Sequence, residues 1–95
     1  MEMDLTTYRA RIDSIDDTIL ELLNRRLSYA LEINQIKLEK GAQVLDSSRE
    51  QRIMERLRGY NQGPLSDAGM VRIYSTIITE SRRLMEQSRQ AAPGQ

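Results

Sequence analysis

The chain has 95 residues, 14 of them basic and 14 acidic, with 39% hydrophobic residues and neither Cys nor His. That charge balance excludes the strong positive field of a general nucleic-acid binder, and the missing Cys and His exclude a disulfide framework, the usual zinc ligands and imidazole catalysis. Chemistry is left to Arg, Lys, Asp, Glu, Ser and Tyr on a single domain, whose four Tyr with no Phe or Trp suit helices better than sheets.

Met1 to Asp4 forms a short lead, with Asp4 or Thr6 as N-cap of a first helix from Leu5 to Lys40 that contains no Pro or Gly. Positions 5, 8, 12, 15, 19, 22, 26, 29, 33 and 36 read Leu, Tyr, Ile, Ile, Ile, Leu, Arg, Tyr, Ile, Ile. This is a seven-residue apolar repeat broken only at Arg26. Such a helix is about 54 Å long, whereas a compact chain of this size has a radius of gyration of about 12 Å. The remaining residues cannot cover so long a seam, so a second copy in a symmetric homodimer is expected. No stretch reaches about 20 apolar residues, and the N-terminus has no cationic segment followed by an apolar run. A cytoplasmic chain without membrane or nucleic-acid partners is the expectation.

Gly41 stops the first helix, with Lys37 and Lys40 in its last turn. Ala42 to Asp46 connects to a second helix of about 12 residues, opened by a Ser47-Ser48-Arg49-Glu50 capping box and carrying Ile53, Met54, Leu57 and Tyr60. Gly59, Asn61 and Gly63-Pro64 are expected to end it. Ser66 caps a third helix with Val71, Tyr74, Ile77, Ile78, Leu84 and Met85 on one stripe. The domain is expected to span 1–87, and Ser88 to Gln95, containing Pro93-Gly94, to be a disordered tail.

Seven polar positions stand out. Arg26 sits in the seam, where a snorkelling or register-setting role is the structural alternative. Lys37, eleven residues on, projects only about 20° round the helix from Arg26, with Ala30 and Ile33 between them. Two cations flanking apolar groups suit a small dianion with a hydrocarbon body, although a lysine at a helix C-terminus is also favourable by itself. Arg9 lies about 25 Å before Arg26 on the same rigid helix. It could meet the same ligand only from an antiparallel partner; otherwise it is an exposed arginine. Asp46, Arg49 and Glu50 cluster at the start of the second helix, where capping accounts for two of the three. Ser81 interrupts the stripe between Ile77 and Met85, a place where a serine commonly bonds its own i−4 carbonyl.

These residues also recur in the order and spacing of a known family. The chain resembles the all-helical chorismate mutases of the AroQ class at Tyr8-Arg9-Ala10-Arg11-Ile12-Asp13-Ser14-Ile15-Asp16, at Leu22-Leu23-Asn24-Arg25-Arg26, and at Ile36-Lys37. It does so again at Val44-Leu45-Asp46-Ser47-Ser48-Arg49-Glu50 and at Ile77-Ile78-Thr79-Glu80-Ser81-Arg82-Arg83-Leu84. The resemblance implies an all-α intertwined homodimer of three-helix chains that converts chorismate to prephenate without cofactor or metal. Its catalytic residues would be Lys37, Arg26 and Glu50. Arg9 from the partner chain, Arg26 and Arg49 would frame the carboxylates with Ser81, Lys37 would sit at the ether oxygen, and Glu50 with the chain at Asp46 would take the ring hydroxyl. Ala30, Ile33 and Ile78 would be apolar walls.

The sequence departs from the family pattern at Gln43 and Ser47-Ser48, where Pro and Pro-Glu are common, and at Met85, where the family places Gln or Glu. Met85 would face substrate without a donor to offer. Alternatives are an isochorismate pyruvate-lyase of the same fold, a helical dimerisation or regulatory module, and a mutase domain associated or fused with another shikimate-pathway enzyme.

Overall fold

The computed structural model describes residues 4–91, and side chains through Gln90. These residues form three α-helices in the order α1 (Leu5–Glu39), α2 (Ser47–Tyr60) and α3 (Asp67–Ala91). The absence of Gly and Pro lets α1 run for 35 residues from an Asp4 cap, whose side chain accepts from the Thr7 amide. At the far end Gly41 adopts φ 72°. There the Ala42 amide donates to Lys37 O at 2.7 Å and the Gly41 amide to Leu38 O at 3.1 Å. This paired closure requires a left-handed residue, which glycine adopts without Cβ strain.

Three expected boundaries need correction. The N-cap of α2 is Asp46, not Ser47: Asp46 Oδ1 accepts from the Arg49 amide at 3.0 Å, and Glu50, one residue too far on to complete a box with it, turns toward α3 instead. Gly59 lies inside α2, which ends at the Asn61 cap. There the Asn61 amide group donates to Leu65 O and accepts from the Gly63 amide, stitching the turn into α3. The disordered tail expected from Ser88 does not begin there, because α3 continues to Ala91, and Arg89 in that last stretch donates to Asn34 of α1 at 2.8 Å. Residues 92–95 of that expected tail lie outside the described residues, as does the lead up to residue 3.

Helix α3 packs against both α1 and α2, with Ile53, Met70 and Ile78 as the buried apolar residues. That packing uses only the C-terminal half of α1. Residues 4–22 are exposed throughout, including the seam residues Leu5, Tyr8, Ile12, Ile15, Ile19 and Leu22. The chain therefore measures 63 × 28 × 15 Å with a radius of gyration of 17.3 Å, far above the value of about 12 Å for a compact chain of this length. Among the described residues no helix is long and apolar enough to cross a membrane.

Candidate active site

The C-terminal half of α1, the connector with the start of α2, and the middle of α3 enclose a cavity of about 270 Å³. From α1 come Arg26, Tyr29, Ala30, Ile33 and Lys37, one turn after another along a single helix face. The connector and α2 supply Val44, Asp46, Arg49, Glu50 and Ile53, and α3 supplies Ile78, Ser81, Arg82 and Met85. The cavity thus brings together seven of the eight expected site residues. Arg9 is the exception: it is exposed on the overhanging half of α1 and takes no part in the wall.

Arg26 breaks the seam because its side chain turns toward α3. Its Nη1 donates to Ser81 Oγ at 3.1 Å across the two helices. Ser81 is only 4% exposed, and this cross-helix bond, between residues remote in sequence, replaces the local role otherwise expected of a mid-helix serine. Lys37 reaches the cavity from the last turn of α1, where the Gly41 closure ends the helix. Asp46 has one carboxylate oxygen engaged in the α2 cap. Glu50 faces Arg82, whose Nη2 lies 3.5 Å from Glu50 Oε1.

Two further residues hold the wall in place from behind. Asn34, buried to 3% exposure, donates to Met85 O at 3.1 Å and accepts from Arg89 Nε. This fixes the Met85 turn of α3 against α1, one turn before Lys37. The displaced titrations lie elsewhere: Arg83 holds the exposed Glu80 carboxyl below its ordinary range by hydrogen bonding, and the Thr7 amide does the same for Asp4.

Sequence reasoning missed Arg82, Tyr29, Val44 and Ile53 as lining residues, and Asn34 and Arg89 as supports. Arg82 carried a signal in retrospect, since it lies four residues after Ile78 and three before Met85 on the same helix face. Asn34 and Arg89 carried none, being 55 residues apart.

Chemically, the lining offers four cations, two carboxylates and apolar walls. Together these define a pocket for a small anionic molecule, with hydrogen-bond acceptors along one side. The chain belongs to the chorismate mutase type II family, whose sequence model it matches over residues 8–86. It is 37% identical over 76 residues to a bifunctional chorismate mutase/prephenate dehydratase of Neisseria gonorrhoeae, covering 80% of this chain and 20% of that relative. It is 29% identical over 83 residues to a 4-amino-4-deoxychorismate mutase of Streptomyces venezuelae, covering 85% and 80% of the two chains. A crystal structure of chorismate mutase from Helicobacter pylori in complex with prephenate superposes with a TM-score of 0.87 at 30% identity, covering 94% of this chain and 97% of that one. The chain spans about a fifth of the length of the bifunctional relative.

Proposed function

We propose that this chain converts chorismate to prephenate, the intramolecular rearrangement in which a C–O bond breaks as a C–C bond forms. One observation carries the reading: a cavity with a net excess of two cations over carboxylates, in a chain with no His or Cys. A dicarboxylate needs that charge, and a pericyclic step needs neither nucleophile nor general acid. Catalysis then consists of holding the flexible substrate in its compact reactive shape and stabilising the negative charge that builds on the ether oxygen.

Arg26 and Arg49 bind the carboxylates, with Ser81 setting the orientation of Arg26. Lys37 donates to the ether oxygen. Glu50, with the chain at Asp46, accepts from the ring hydroxyl, and Ala30, Ile33 and Ile78 press on the hydrocarbon body. Met85 lies along the same wall as a thioether with no proton to give. A second copy of the chain covers the exposed seam of α1 and brings its Arg9 to the carboxylates. The bare apolar face over residues 4–22 supports that arrangement. The chain works in the cytoplasm, in the synthesis of the aromatic amino acids Phe and Tyr. The bifunctional relative carries a prephenate dehydratase in the same polypeptide, which supports a place for this chain immediately upstream of a prephenate-consuming enzyme, as an associate or a fused part.

The test is to incubate the isolated chain with chorismate and follow prephenate formation, with Lys37→Ala as control. Conversion that Lys37→Ala abolishes is expected. A folded chain that leaves chorismate unchanged overturns the reading.

A further inference from the structure

The Arg82–Glu50 pair joins α3 to α2 at the cavity wall, with side chains 32% and 27% exposed. Asp46, the other carboxylate of the lining, already spends an oxygen on the helix cap. Glu50 has no such cap bond, so its oxygens are left to Arg82 and to a donor on the ligand. An isolated carboxylate in a partly buried wall accepts from a hydroxyl or from an ammonium group, and Coulomb attraction favours the ammonium. With a guanidinium nitrogen 3.5 Å from Glu50 Oε1, the balance changes. A cation bonded to the far side of Glu50 would lie within about 7 Å of Arg82, close enough for repulsion that partial exposure weakens without abolishing. A neutral hydroxyl bears no such cost.

Resting on the reading of the site given above, we infer that Arg82 is a specificity-determining residue: it makes the Glu50 end of the cavity select a substrate with a neutral hydroxyl over its counterpart with an amine there. The natural pair of probes is chorismate and 4-amino-4-deoxychorismate. The role differs from fold support, because a loss of packing weakens both substrates together and leaves their ratio where it was. It also differs from direct anion binding, which would weaken two dicarboxylates alike.

The experiment measures kcat/KM and Kd for both compounds at a pH where the amine is protonated, with the unaltered chain, Arg82→Leu and Arg82→Lys. The unaltered chain should favour chorismate. Arg82→Leu should move the ratio toward the amine by about tenfold, the size of a charge–charge effect at this range and partial exposure, and Arg82→Lys should leave it near the starting value. An unchanged ratio in a folded Arg82→Leu chain, or a shift as large in Arg82→Lys, overturns the inference; should Arg82→Leu not fold, Arg82→Gln takes its place under the same criteria. If neither compound is converted but both bind, the reading of the reaction falls while the Kd ratio still decides the role of Arg82. If neither binds, both fall.

Discussion

Met85 is the lining residue at which the sequence reading expects a departure from the family's pattern. It lines the cavity together with Lys37 and Ser81, and its backbone carbonyl accepts from Asn34, so a longer donor-bearing side chain at this position would enter the same cavity. Glu86 does not substitute for it, since that side chain lines a separate cavity with Arg89 and Val44. If Lys37 is the donor at the breaking bond, as proposed, Met85→Gln is expected to raise turnover at saturating chorismate at least about tenfold, less than the roughly 10²–10³ that one preorganised donor can contribute because Lys37 remains. Stability should change little. A folded Met85→Gln chain with unchanged turnover would show that another group already serves the ether oxygen.

Arg26 and Ser81 form a coupled pair at the same scale. Arg26→Leu deprives the buried Ser81 hydroxyl of its donor and should cost about 1 kcal/mol, whereas adding Ser81→Ala removes the orphaned group and should recover most of that loss. Denaturant unfolding of the two single variants and the double variant measures the coupling; additive losses would mean that the bond contributes nothing. The seam repeat, taken alone, predicts that Arg26→Leu stabilises the chain by completing an apolar row. The structure reverses that expectation because the guanidinium leaves the row and is bonded across to α3.

At the scale of elements, the three helices and most of the lining were legible because each depends on local pattern. Apolar spacing gave the helices, Gly41 gave the stop of α1, polar residues at apolar spacings marked Arg26 and Ser81, and its place on the same helix face as Arg26 marked Lys37. Asp46 and Ser47 were both legible as caps of α2, but not which of them closes the helix, since both residue types cap well and the path of the connector decides between them. Nor was the continuation of α3 to Ala91, which rests on contacts between remote residues. Asn34 is central to that continuation: it ties Met85 O and Arg89 Nε to α1, while Arg89 Nη2 is left buried without a hydrogen-bond partner. Asn34→Ala should therefore cost about 1–3 kcal/mol, the range for stranding buried polar groups. Amide exchange in residues 85–91 should accelerate more than in α2. Uniform acceleration along the whole chain would assign Asn34 to general packing instead.

For the molecule as a whole, the long exposed half of α1 and the separation of Arg9 from the cavity are one geometric fact. Rigid helix geometry sets Arg9 about 25 Å from Arg26 along the axis, so no bend within α1 brings both to one small ligand. Antiparallel pairing of two copies would cover the apolar row over residues 4–22 and carry each Arg9 toward the other's cavity. The number of copies and their register are not legible in one chain, because the seam repeat specifies an apolar partner surface without identifying it. Complementation tests both together. Arg9→Ala and Lys37→Ala chains are each expected to be inactive, and co-refolding them should restore activity: a mixed dimer then holds one intact site and one doubly damaged site. Random pairing makes half the dimers mixed, so recovery should approach about a quarter of the unaltered activity per chain. If Arg9 and Lys37 served a site within one chain, every site would stay damaged however the chains paired. Mixed dimers demonstrated by mass spectrometry but inactive toward chorismate would therefore eliminate the shared site, whereas recovery that tracks the mixed-dimer fraction on dilution would tie catalysis to the second copy.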